Sequence, residues 1–149
     1  MKVVLDTNIV LDWLVFHDPR VALLQAAIAG KHVEVVTHAT ALDELRRVLT
    51  YPQFNLPVSK QQEIVARYGA QARIVTLPVA DCFALPPGFP RCRDQDDQHF
   101  LALAFHECAD GLVSKDNHLL ELAKRVLKFG VTILSPEQLT DRLTKTHAP

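Results

Sequence analysis

Short, unbroken apolar runs recur along the chain: Val3-Val4-Leu5, Val33-Glu34-Val35-Val36, Ile74-Val75-Thr76-Leu77, Gly111-Leu112-Val113-Ser114 and Val131-Thr132-Ile133-Leu134. Runs of this length without strict polar alternation suit strands buried on both faces of a parallel sheet. Between them apolar residues repeat at helical spacing, as at Leu42, Leu45, Val48 and Leu49, and at Phe100, Leu101, Ala104, Phe105 and Cys108. Strands alternating with helices predict βαβ units with right-handed crossovers, and hence a three-layer α/β domain. From Pro78 to about Arg93 the chain carries Pro78, Pro86, Pro87, Gly88 and Pro90, which predicts an irregular stretch. Long loops in compact domains are usually functional or disordered, and this one runs into an acidic cluster, which favours function. The residues from Thr144 to Pro149 read as a frayed end. One domain over residues 1–140 is expected, with 141–149 as a C-terminal tail.

Composition narrows the class. At 149 residues, 48% hydrophobic and 22% charged, the chain is the size and make-up of one globular domain. The net charge of −1 gives no broad basic field of the kind that coats nucleic acid non-specifically. A nuclease stays open, because bound cations supply positive charge at the site itself. Cys82, Cys92 and Cys108 are odd in number and lack CxxC spacing, which fits reduced thiols better than disulfides or zinc. Cys92 sits in a charged stretch, which leaves an exposed thiol open. Asp6 interrupts the first apolar run too early for a signal peptide, and no run approaches a membrane span. A cytoplasmic protein is expected.

The acids at strand ends carry the chemistry. In an open parallel sheet, ligands bind beyond the carboxyl ends of the strands. Asp6 ends the first strand and Asp116 follows the fourth, on the same edge. Either could instead cap a helix, since Asp6-Thr7-Asn8 and Asp116-Asn117 are good capping residues. Asp97 is more informative: on a helical wheel it begins the stripe of Leu101, Ala104 and Cys108 that packs on the sheet. Asp94 and Asp96 are accounted for by the preference of helix starts for acids, but the inward position of Asp97 is not. Glu44 lies at the margin of the Leu42-Leu45-Val48-Leu49 stripe and can reach the same edge, or can pair with Arg47 one turn on. Several carboxylates at close range repel one another, and a hard divalent ion resolves that repulsion. Such an ion orients and helps ionise a water and stabilises charge on a phosphodiester, so metal-assisted hydrolysis suits this set.

These residues resemble the PIN domain family. The resemblance rests on Val4-Leu5-Asp6-Thr7-Asn8, on Glu44 within Leu42-Asp43-Glu44-Leu45, on Asp97 within the segment from Asp94 to Ala104, and on Asp116 within Leu112-Val113-Ser114-Lys115-Asp116. It spans about residues 1 to 135, and the Arg-Asp-x-Asp-Asp-x-x-Phe-Leu form resembles a bacterial branch labelled as toxins of toxin–antitoxin pairs. It implies an α/β/α sandwich around a five-stranded parallel sheet. It also implies a ribonuclease using Mg²⁺ or Mn²⁺, homodimers, and an antitoxin protein in some members. Asp6, Glu44, Asp97 and Asp116 match the catalytic and metal-binding acids. Asn8 matches a position that supports the first acid, and Ser114 one that orients the fourth. Asp94 is expected either to support the site or to cap the helix.

The remaining candidates are weaker. Lys115, beside Asp116, is the best cation for an RNA phosphate, ahead of Arg46, Arg47, Arg91 and Arg93, although a solvated charge is the ordinary role for each. His99 and His106 fall opposite Leu101 and are expected in solvent. Trp13 and Phe16 read as core or dimer contacts. A phosphate-accepting receiver domain would need an Asp ending the third strand and a Lys ending the fifth, and the chain has neither. A non-catalytic interaction module on the same fold is the other rival. An acid replaced at one of the four positions would have favoured it, and none is replaced.

Overall fold

The computed structural model describes residues 1–76 and 84–146. Its centre is a five-stranded, all-parallel sheet in the order β3-β2-β1-β4-β5. The strands are β1 (Lys2–Leu5), β2 (Glu34–Thr37), β3 (Ala72–Ile74), β4 (Gly111–Val113) and β5 (Ile133–Leu134). Eight helices are described: α1 (Thr7–Leu14), α2 (Ala22–Ala29), α3 (Ala39–Leu49), α4 (Val58–Gln71), α5 (Gln98–His106), α6 (Asn117–Leu120), α7 (Ala123–Val126) and α8 (Pro136–Thr146). The expected three-layer α/β/α sandwich is the architecture observed.

Side chains alternate across a strand, so each strand feeds two cores. Val3, Leu5, Val35 and Val113 point into one, with Ile9, Trp13, Leu24, Leu45, Tyr68 and Leu139 from the helices on that face. Val4, Val36, Leu112 and Ile133 point into the other, with Phe100, Leu101, Leu119 and Val126. Register is fixed by Val3↔Val35 and Val4↔Val36 on one side of β1 and by Val4↔Leu112 and Leu5↔Val113 on the other. Gly111 fits this close pairing because a β-carbon there would meet Leu134 Cδ1 at 2.9 Å.

The strand order carries the functional geometry. From β1 the chain winds outward through β2 to β3, then returns to lay β4 on the other flank of β1. The direction reverses between β1 and β4, and that reversal opens a crevice at their carboxyl ends.

Three expectations are corrected here, and one left open is decided. The third strand lies at Ala72–Ile74, not 74–77, because α4 runs straight into it; Ile74 is half exposed at the sheet edge, and residues 77–83 lie outside the described set. Cys92 is buried, with its backbone N–H donating to Gln98 Oε1, so a charged neighbourhood did not make it a surface thiol; Cys82 lies outside the described residues. Cys108 leaves the α5 stripe because the helix ends at His106. Cys108 N donates to Phe105 O and Ala109 N to Ala104 O, with Cys108 at φ 49°, which is the left-handed helix end that usually calls for glycine. Lastly, α8 continues to Thr146 with Leu143 buried, so the described part of the expected tail packs on the domain. Residues 84–93 carry no helix or strand, as expected, and are held by Gln98, whose Nε2 donates to Pro90 O.

Candidate active site

The crevice collects the acids from four separate elements. Asp6 leaves the end of β1 and is buried; it occupies the cap position of α1, yet its side chain makes no capping hydrogen bond. Instead Ser114 Oγ, just past β4 and fully buried, donates to Asp6 Oδ2 at 2.7 Å. The same hydroxyl accepts from the Asp116 backbone N–H at 3.0 Å. Ser114 therefore ties the first acid to the backbone of the fourth, a wider role than orienting the fourth alone. Asp116 Oδ1 accepts from His118 N at 2.9 Å, so the cap alternative holds for this residue. Its carboxylate still stands within electrostatic reach of Asp6 and Asp97.

Asp97 closes a short 3₁₀ turn and enters α5 without making a capping bond. It is 8% exposed, inward as the wheel requires, whereas Asp94 and Asp96 are at the surface. Asp94 is the cap of this turn, accepting from Asp96 N at 3.0 Å. Asn8 is exposed, and it is its backbone N–H rather than its side chain that bonds the Asp6 carboxylate and favours its ionised form.

Glu44 is not an Arg47 ion pair. Its Oε2 accepts from Thr7 Oγ1 at 2.7 Å and lies 3.5 Å from His99 Nε2. The ion pair of that helix turn joins Arg46 to Asp43 at 2.7 Å. His99 is 5% exposed, against the expectation of solvent, and its Nδ1 meets Nε2 of the buried His38 at 3.0 Å. The helical wheel failed because Phe100 to Ala104 are all buried, so this part of α5 has no outer face. The unbroken Phe-Leu-Ala-Leu-Ala run was the available signal. His38 and Thr7 had none beyond their places next to a strand end. His106 is partly buried and meets Ala84 O at 2.5 Å.

The electrostatics follow from this crowding. The Asp97 carboxyl is pushed up to about 8, first by burial and then by Asp6, Asp94, Asp116 and Glu44. Burial raises Asp6 as well, the Ser114 hydrogen bond opposes it, and Glu44 and Asp116 add to the rise. For Glu44 burial acts upward but is outweighed by His99, Thr7 and Arg47, leaving it below its ordinary value. His38 is lowered to about 4 by burial and by its neighbour His99, so it is neutral near pH 7.

Such a donor set is all oxygen and carries negative charge that the surrounding protein does not balance, which fits a hard divalent ion. No three His, Cys, Asp or Glu side chains converge on one point among the described residues. Mg²⁺ is commonly held by only one or two carboxylates plus water, so the arrangement is still compatible with it.

The cations are mostly engaged. Lys115 Nζ sits 2.7 Å from the buried Asp12 Oδ2, and Arg93 Nε 3.1 Å from Glu121. Arg47 makes no ion pair among the described residues and lines a cleft of about 380 Å³ with Thr40, Asp43, Glu44, Asp96 and His99. Trp13 is core, edge-on to Tyr68, while Phe16 is exposed against Phe54.

Acids from four elements meet at the switch point of this sheet, two of them buried, and residues 2–118 match the family model of the PIN domain. The chain belongs to the PIN domain family, whose members are generally divalent-metal-dependent nucleases. Among solved structures, it is similar to a chain of VapBC2 from Rickettsia felis, determined bound to a DNA fragment from their promoter. That match has a TM-score of 0.61 and 14% identity, and covers 91% of this chain and 98% of that one. At this identity the likeness establishes the fold. No curated protein matches the chain. Among the described residues no helix is long and apolar enough to cross a membrane.

Proposed function

We propose that this PIN domain is an endoribonuclease that hydrolyses RNA phosphodiester bonds with Mg²⁺ or Mn²⁺. The observation that carries the reading is Asp97, a nearly buried carboxyl raised to about 8 beside Asp6, Asp116 and Glu44. A protein has little reason to gather like charges at a crevice unless a cation offsets them there. Asp6 and Asp97 are the groups that would hold the ion, with Asp116 and Glu44 completing the site directly or through water. When bound, the ion would ionise a water and stabilise charge on the phosphate. Ser114 keeps Asp6 aimed into the crevice. Lys115, tied to Asp12, gives way to Arg47 as the better phosphate contact, since Arg47 has no ion-pair partner among the described residues and lines the adjoining cleft.

The likeness to a VapBC2 chain favours the toxin of a toxin–antitoxin pair. A protein antitoxin, a homodimer and a cytoplasmic location belong to that same reading. Cleavage of single-stranded RNA with Mn²⁺ tests it, comparing wild type with Asp6→Asn and Asp97→Asn. Cleavage by wild type and its loss in both variants is expected. Activity surviving both changes overturns the site, and no cleavage of RNA or DNA under broad conditions favours the non-catalytic module.

A further inference from the structure

Glu44 is held from one side only. Thr7 Oγ1 and His99 Nε2 both address Oε2, at 2.7 and 3.5 Å, while Oε1 has no hydrogen-bond donor among the described residues. Behind His99 stands His38 from the start of α3, so three side chains from two helices form a line, Glu44–His99–His38, leading from the crevice into the protein.

The Glu44 carboxylate constrains the donor and acceptor roles along this line. An ionised carboxylate only accepts, so His99 Nε2 must carry a proton to bond it. If His99 is neutral, its Nδ1 accepts and His38 Nε2–H donates. If His99 is charged, Nδ1–H donates to His38. In either arrangement a protonated Nε2 of His99 faces Glu44 Oε2 across 3.5 Å. The second nitrogen of an imidazole commonly sets the tautomer of the first in this way.

We propose that His99 is a positioning residue for Glu44, with His38 fixing its tautomer, so that Glu44 turns only Oε1 toward the acid cluster. Burial of both rings keeps water from competing for Oε2. Glu44 then acts as a one-oxygen group of fixed direction. A chelating grip through both oxygens would require breaking the Thr7 and His99 contacts. The inference rests on the nuclease reading for its consequence, but not for its geometry.

Two measurements decide it. Long-range ¹H–¹⁵N spectra of the histidine rings in the wild-type protein, without added metal, should find His99 protonated at Nε2. A ring protonated at Nδ1 alone overturns the proposal whether or not the protein cuts RNA. In Mn²⁺-supported RNA cleavage, His99→Leu should lower kcat by about 10- to 100-fold with KM nearly unchanged, the usual cost of losing an outer partner of a site residue. His99→Gln places an amide N–H near the Nε2 position and should recover most of that loss. In a Glu44→Gln background, His99→Leu should cost under about twofold, because residues acting through one another are not additive. An equal loss in both backgrounds, or no recovery with Gln, assigns His99 a packing role and overturns the proposal. If wild type leaves RNA intact, the nuclease reading fails, and the protonation of the His99 ring then decides the positioning role by itself.

Discussion

Around the amino ends of β1 and β4, acids and bases meet in pairs. Arg73 bonds both Glu34 and Glu107, Lys2 Nζ donates to Glu107 O at 3.0 Å, and Lys2 N donates to Asp110 at 2.6 Å. Glu34 is held below its ordinary value, chiefly by Arg73. At the carboxyl ends of the same two strands the acids face each other, and Asp97 is driven the opposite way. The two edges are about a strand length apart and share the same two cores. Their charges differ because one edge joins the layers and the other gathers acids that a bound cation would balance. Balanced charge costs the fold little, whereas unbalanced buried charge is strain kept for a ligand.

The largest expected effect is on catalysis. Asp97→Asn or Asp6→Asn should lower RNA cleavage by at least about 100-fold, corresponding to roughly 2.7 kcal/mol of lost transition-state stabilisation. The same Asp97→Asn change should have the reverse effect on stability. The folded-state pKa lies near 8, above the ordinary 3.8, so the stability linked to this carboxyl is full below about pH 4 and lost as pH rises toward about 8. Discounted for solvent screening, the metal-free variant should gain about 1–2 kcal/mol at pH 8, or roughly 3–6 °C in Tm. At pH 4 the gain should vanish. Thermal melts in EDTA at both values check this, and equal melting of the two proteins at pH 8 contradicts the assigned strain.

Smaller effects belong to the paired edge. Cys108→Gly relieves the left-handed backbone that ends α5 and should stabilise by about 0.5–1 kcal/mol with cleavage unchanged. A destabilised glycine variant would show that the thiol packs better than its exposure implies. Arg73→Ala should lower Tm by no more than about 2 °C in dilute buffer, and less in 1 M salt, because exposed pairs are weak and screened. If Arg73→Ala instead matched Asp97→Asn in size, the contrast between the edges would collapse.

How much of this was legible in the sequence depended on how local the cause was. Four of the five apolar runs marked strands because burial on both faces writes itself into consecutive residues. Asp97 could be read because a helix stripe is a local pattern, and Asp6 because it directly follows the first run. The position of β3 could not, since an edge strand entered from α4 has little apolar signature, and its most apolar residue, Ile74, is half exposed. His99 was misread because one helical wheel cannot reveal that a helix is covered on every side. Its meeting with His38, 61 residues away, is set by tertiary packing alone. The pairing of Lys115 with Asp12 has the same cause, and it hid the difference between engaged and available cations.

Ser114 gives the site a history as well as a shape. Its hydroxyl reaches across 108 residues of sequence to Asp6, and the bond exists only when β4 lies in register beside β1. A slip by a single residue would turn Ser114 to the other face of the sheet and leave Asp6 without its donor. During synthesis the first acid emerges long before its partner, so an unfinished chain carries Asp6 without the hydroxyl that holds it. On the proposed nuclease reading, cleavage would then have to await closure of the central strand pair.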